Sequence, residues 1–133
     1  MIVSVGIDMI EIERITSALE NPVTGARFRD RVYTQNEIRY CERKQRRKYE
    51  SYAARFAAKE AVMKALGRGW GSSVGWRDIE VVNQPSGAPK LHLHDKAAAL
   101  ARERGIGDFS ISITHTDNHA MAYVIAQRPG VME

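Results

Sequence analysis

A single cysteine in 133 residues, Cys41, excludes an internal disulfide, so no covalent cross-link supports the fold. No stretch approaches the roughly 20 consecutive apolar residues that a membrane-spanning helix needs, which argues against insertion into a bilayer. The opening MIVSVGID has neither a basic leader nor a long apolar run, and with the lone thiol this makes a cytoplasmic protein the expectation. No internal repeat or low-complexity tract is present. Charge is plentiful: 20 Lys and Arg stand against 16 Asp and Glu, a formal net charge of +4. That excess favours acidic partners, whether nucleic acid, phosphorylated cofactors or acidic proteins, and falls far short of a histone-like tail. A chain of this length fits one domain over residues 1–133, with a core that buries roughly two thirds of the unfolded surface.

Ile2, Val3, Val5 and Ile7 form a β-branched run, apolar on both faces, that ends at Gly6-Ile7-Asp8 and predicts a buried strand. Ile10, Ile12, Ile15 and Leu19 then recur among Glu11, Glu13 and Arg14 up to Asn21-Pro22, which predicts a short amphipathic helix. Thr34, three residues before Glu37, predicts a capping box and a second helical start, with the polar stretch 39–48 inside or after it. From Tyr49, the stripe Tyr52, Phe56, Ala57, Val62, Met63 and Leu66 predicts a long helix closed by Gly67. Gly69, Gly71, Gly75, Ser72 and Ser73 follow as a loop suited either to bringing backbone amides to a ligand or to plain linking. Residues 79–82 and 91–93 around PSGAP predict a hairpin, and residues 95–104 an Ala-rich helix. Phe109, Ile111 and Ile113, alternating with Ser110, Ser112 and Thr114, predict a second hairpin with residues 121–125. Helices in the middle and hairpins later give an α+β class, a small antiparallel sheet of hairpins packed on helices, rather than a doubly wound sheet.

Asp8 ends the predicted strand and starts the predicted helix. Two roles fit it: an N-cap with Glu11 as reciprocal partner, and a metal ligand; one carboxylate has oxygens enough for both. On the long helix Phe56, Glu60 and Lys64 are spaced by four and share a face, with Arg55 and Lys59 on the neighbouring strip. A solvated Glu60–Lys64 ion pair explains that spacing by itself. The combination carries more information. GIDMIEIERI (residues 6–15) and RFAAKEAVMKALG (residues 55–67) each set a carboxylate beside a cation, and Mg²⁺ takes only one or two protein carboxylates, completing its octahedron with water and phosphate oxygens.

These two motifs, followed by DIEVVNQPSGAPKLHL and SISITHTDNHAMAYVIA in that order over nearly the whole chain, resemble the holo-acyl-carrier-protein synthases, the short bacterial type of 4′-phosphopantetheinyl transferase. Met9 is a mild departure, since the family usually has a branched aliphatic residue there. The resemblance implies the 4′-phosphopantetheinyl transferase fold and a Mg²⁺-dependent enzyme of fatty acid biosynthesis. Such an enzyme moves the phosphopantetheine arm of coenzyme A to a serine of apo acyl carrier protein and releases 3′,5′-ADP. It implies Asp8 and Glu60 as metal ligands and, with Lys64, as the catalytic residues, Lys64 stabilising phosphate charge as the bond breaks. Two bases remain open, a metal-bound water or hydroxide and Glu60 acting through water. Arg55, Lys59 and Lys64 are implied phosphate contacts, and His115 a contact to the nucleotide end of coenzyme A, with Ser112 and Thr114 on the same strand. For His115 a structural hydrogen-bonding role competes. Arg14, with Arg27, Arg29 and Arg31, is implied to dock the acidic carrier. The resemblance further implies a homotrimer whose active sites lie between subunits, completed in part by the SITHT strand of the next chain.

The run Arg43-Lys44-Gln45-Arg46-Arg47-Lys48 reads as a solvated face or as a second contact to coenzyme A phosphates. Flanked by Tyr40 and Tyr49, it also motivates a rival reading, a small basic nucleic-acid-binding protein. That rival lacks a recognisable scaffold and leaves Asp8 and Glu60 unexplained, so neither nucleic acid nor membrane is an expected partner. A thiol catalyst at Cys41, and metal binding by His92 and His94 on one strand face, each rest on too few residues.

Overall fold

The structure is a computed structural model that describes residues 1–67 and 74–130; the predicted loop residues Gly69, Gly71, Ser72 and Ser73 lie outside them. Strand β1 (Ile2–Glu11) leads into α1 (Ile12–Glu20), α2 (Gly25–Val32), α3 (Gln35–Glu42) and the long α4 (Lys48–Leu66). Then come β2 (Ile79–Asn83), β3 (Pro89–Leu93), α5 (Asp95–Glu103), β4 (Asp108–His115) and β5 (His119–Gln127). All pairings are antiparallel: β1-β5-β4 form one sheet and the β2-β3 hairpin another. This is the α+β arrangement expected from the order of helical and alternating segments, and no described helix is long and apolar enough to cross a membrane.

Local signals account for several boundaries. At the start of α3, Thr34 Oγ1 accepts from the Glu37 amide at 3.2 Å, and the Thr34 amide donates to Glu37 Oε1 at 2.9 Å, closing the predicted capping box. Helix α4 ends at Gly67 with φ of 76°, a left-handed conformation that glycine adopts without a Cβ penalty.

Three expectations are corrected. Strand β1 is not buried on both faces: Gly6 and Ile10 point inward, whereas Val5, Ile7 and Met9 are half exposed. The described residues cover one face of its sheet, and an all-apolar run cannot say which. The strand also continues to Glu11, opposite His119, so α1 begins at Ile12 with Glu11 at its cap and no side-chain capping bond. Asp8 therefore sits in mid-strand opposite Ala122, and the N-cap role is excluded. Finally, α4 does not carry a stripe but is buried almost all round, with Ala53, Ala57, Ala58, Ala61, Val62 and Leu66 sealed from solvent.

Helix α4 lies across the inner face of the β1-β5-β4 sheet, and small residues on both surfaces allow a close approach. The inward positions of β5 are Ala120, Ala122, Val124 and Ala126, all fully buried. The closest approach is at Gly6, where a Cβ would lie 1.9 Å from the carbonyl oxygen of Ala61. Beside it the Ser4 hydroxyl donates to the carbonyl of Ala65. Gly6→Ala is expected to push β1 off α4 and cost about 1–3 kcal/mol, read from urea unfolding; an unchanged midpoint would mean that the contact tolerates a methyl.

Candidate functional site

That close contact places two distant acidic residues together. From β1, Asp8 reaches the exposed edge of α4, where Lys64 Nζ donates to Asp8 Oδ1 at 3.1 Å and to the carbonyl of Ile7 at 2.8 Å. The Lys64 side chain is 54% exposed, and such a pair contributes only about 0–1 kcal/mol to stability. Glu60, one turn before Lys64 on the same face, is half-buried. Burial raises its carboxyl above the usual range, the Asp8 charge raises it further, and Lys64 opposes both. Two carboxylates thus repel across a partly desolvated gap with one ammonium at its rim. A hard divalent cation suits this set, because it would relieve the repulsion that Lys64 only partly offsets. Among the described residues no three His, Cys, Asp or Glu side chains gather for a metal. The donor set therefore fits Mg²⁺ sharing its shell with phosphate and water rather than a closed protein cage.

A second feature is a cleft of about 320 Å³ between α3, α4, the β2-β3 turn and the end of β4. Its lining includes Tyr40, Lys44, Arg47, Arg55, Asn83 and His115. Arg55 is 4% exposed. Its Nη2 donates to Asn83 Oδ1 at 2.6 Å and its Nη1 to Ser51 Oγ at 3.3 Å, while the guanidinium lies 4.2 Å from the Tyr40 ring centre. Its buried Nε has no hydrogen-bond partner among the described residues. His115 is half exposed, with Nε2 3.7 Å from Glu50 Oε2. Arg55 and His115 thus meet in a cation-rich concavity suited to phosphate. Part of the 43–48 basic run lines it, which the sequence left open. Nothing local marked Asn83, which the β2-β3 turn carries in from a distance.

Other predicted residues lie elsewhere. Lys59 does not face a ligand: its side chain is fully buried and paired with Glu37 Oε1 at 2.8 Å, and it donates to the carbonyls of Trp76 and Ile79. This corrects its expected phosphate contact, because i to i+4 spacing from Arg55 could not show that the strip turns inward. Ser112 and Thr114 are exposed on the sheet face opposite α4, across from Tyr123 and Met121, and do not join Asp8 and Glu60 within one chain. Arg14, Arg27 and Arg31 are exposed on α1 and α2, whereas Arg29 bonds Asp30 at 3.1 Å.

The rival sites find no support. Lys44 and Arg55 lie over the Tyr40 ring, and Tyr49 sits beneath Lys48 with its hydroxyl on Glu20, so both rings are already engaged by contacts within the chain. Cys41 is sealed from solvent and burial pushes its thiol up to about 11, which leaves it unreactive. His94 is engaged by Glu80 at 2.9 Å.

A family profile described as the 4′-phosphopantetheinyl transferase superfamily matches residues 4–124. A holo-(acyl-carrier-protein) synthase of Solibacter usitatus is 49% identical over 127 residues, covering 96% of this chain and 99% of that protein. Among solved structures, the Bacillus anthracis holo-(acyl-carrier-protein) synthase in complex with CoA (3′,5′-ADP) superposes with a TM-score of 0.78 at 36% identity, covering 97% of this chain and 99% of that one. The Helicobacter pylori holo-(acyl-carrier-protein) synthase in complex with coenzyme A gives 0.79 at 32%, covering 92% and 99%.

The repulsion at Glu60 makes a stability prediction. A carboxyl whose folded pKa stands above its ordinary 4.5 weakens the fold as pH rises through that folded value. Glu60→Gln is therefore expected to leave unfolding free energy unchanged, or raise it by up to about 1 kcal/mol, at neutral pH in chelated buffer, with the difference vanishing in acid. A clear loss in chemical denaturation would instead make Glu60 a structural residue.

Proposed function

The chain belongs to the 4′-phosphopantetheinyl transferase superfamily, and we infer that it acts as a holo-(acyl-carrier-protein) synthase, moving the 4′-phosphopantetheine group of coenzyme A to a serine of apo acyl carrier protein. The observation that carries the assignment to particular residues is the meeting of Asp8, Glu60 and Lys64 from β1 and α4. The serine oxygen attacks the β-phosphorus of coenzyme A, the bond to the bridging oxygen breaks, and 3′,5′-ADP leaves with that oxygen. Asp8 and Glu60 would hold Mg²⁺, which when bound polarises the diphosphate and neutralises charge on the leaving group. Lys64, freed from Asp8, donates to a phosphate oxygen that gains charge. Glu60, whose proton affinity is raised by burial and by Asp8, is this chain's own group able to accept the serine proton through a water. Lys44, Arg47, Arg55 and His115 bind the phosphorylated nucleotide end.

The functional unit in this reading is a homotrimer of 1–133 domains, working in the cytoplasm in fatty acid biosynthesis. Two observations support the assembly. Val5, Ile7 and Met9 of β1 with Tyr123 of β5 form a half-exposed apolar face on the sheet side away from α4, which water disfavours. Arg55 and Glu60 are five residues apart on α4, a turn of about 140° around its axis, so the basic cleft and the carboxylates open in different directions. One coenzyme A engaging both kinds of site is accommodated when the cleft of one subunit faces the carboxylates of its neighbour, with Ser112 and Thr114 lying on the shared face. Carrier docking falls to the exposed Arg14 on α1 and Arg27 and Arg31 on α2, with the partly exposed Arg29 beside them, because such cations steer an acidic partner.

The central experiment mixes the protein with coenzyme A, Mg²⁺ and apo acyl carrier protein. A mass gain of one phosphopantetheine arm on the carrier is expected, and none from folded protein rejects the assignment. Asp8→Asn and Glu60→Gln are each expected to lower turnover by roughly a hundredfold or more with the fold intact; normal rates and Mg²⁺ dependence in both would remove them from the site. Arg14→Glu is expected to raise the KM for carrier and leave that for coenzyme A in place, whereas equal effects on both would argue against docking.

A further inference from the structure

Helix α4 is held from two sides. On one, Gly6 lets β1 rest against Ala61. On the other, a buried ion pair that touches no reacting group joins Lys59 to Glu37, with neither side chain exposed to any extent. Lys59 Nζ donates to Glu37 Oε1, to the carbonyl of Trp76 at 3.0 Å and to the carbonyl of Ile79, which uses all three of its hydrogens. The Glu37 carboxylate also accepts from the Thr34 amide at 2.9 Å and the Val81 amide at 2.9 Å. One pair therefore ties α4 to the first turn of α3, to the turn that stacks Trp76 on Phe56, and to β2.

Burying such a pair is costly, and apolar side chains of similar volume often serve stability as well. An apolar contact is tolerant of sliding and rotation, whereas directed hydrogen bonds to three elements are not. The residue after Lys59 is Glu60. At a side-chain radius of about 6 Å, a rotation of α4 by about 10° shifts a carboxylate oxygen by about 1 Å, and a displacement of that size can cost up to about a hundredfold in rate. We propose that Glu37 and Lys59 are positioning residues: their pair sets the rotation of α4 so that Glu60 and Lys64 face Asp8. This rests on the reading that Asp8, Glu60 and Lys64 form the reacting site. It also replaces the ligand-binding role that sequence spacing assigned to Lys59.

The test is the double variant Glu37→Gln with Lys59→Met, which removes both charges together and keeps side-chain length and a residue type compatible with the capping box. Folded fraction is read by circular dichroism, coenzyme A affinity by calorimetry, anchoring by amide exchange over residues 57–64, and kinetics with both substrates. We expect a folded protein with coenzyme A affinity and both KM values within about twofold, kcat lowered by about tenfold or more, and faster exchange over that segment. A kcat per folded molecule within about twofold of the parent overturns the proposal, as does a loss appearing in KM alone. If the double variant does not fold, Glu37→Asp, which keeps the charge but shortens its reach, is expected to give the same kcat-specific loss. Failure of both variants to fold makes the pair a stability element and rejects positioning. Absence of transfer by the parent protein rejects the underlying reaction reading instead, a result separable from every variant outcome.

Discussion

The structure depends on how closely a strand and a helix approach each other. At Gly6 the backbone of β1 meets the carbonyl of Ala61 with no room for a side chain, and the alanines of α4 and β5 keep the surrounding layers equally near. An aspartate on a strand spans only a few bonds, so Asp8 reaches Lys64 because the two backbones are pressed together. Bulkier inward residues would bury more apolar area but would hold the acidic groups of β1 and α4 apart. Close packing here serves geometry as much as stability.

The charged groups divide by environment. Asp8, Glu60 and Lys64 lie at an open edge, where their mutual energy is small for folding and Lys64 stays open to solvent. Arg55 lies buried in the wall of a cleft, fixed by Asn83, Ser51 and Tyr40, with the exposed Lys44 and Arg47 lining the same cleft. Glu37 and Lys59 are sealed inside with every partner supplied, and Glu80 nearby is held below the usual carboxylate range despite its burial, through hydrogen bonds from Thr34, His94 and Asn36. A single helix, α4, carries members of all three groups on different sides. Its near-complete burial follows from having something to contact in every direction.

Much of this was legible from local chemistry. The Thr34–Glu37 capping box, the Gly67 terminus, the two late hairpins and the helix over 95–103 follow from rules that act within a few residues. Asp8, Glu60 and Lys64 were singled out only by the two motifs taken together and by the family they resemble, since an N-cap and a solvated ion pair explain the local spacing as well. The direction of Lys59 was not legible, since a lysine at helical spacing from Arg55 looks the same whether its strip faces water or Glu37. Nor was the exposure of Val5, Ile7 and Met9, because an apolar run is silent about which face the rest of the chain covers. The end of β1 was misplaced for a related reason: Ile10 and Ile12 satisfy a helical period as well as an alternating one, and pairing with β5 decided between them.

By itself the sequence determined most of the secondary elements, the class of fold and the chemical types that can act, since propensity, capping and side-chain chemistry are properties of short segments. The tertiary structure alone decided which of those groups meet. It turned Lys59 inward and left Lys64 at the surface, sent Ser112 and Thr114 to the face away from α4, and brought Asn83 to Arg55. The reason is that convergence depends on register and on the distance between layers, and those are set by steric contacts, such as Gly6 against Ala61, between residues that are far apart along the chain.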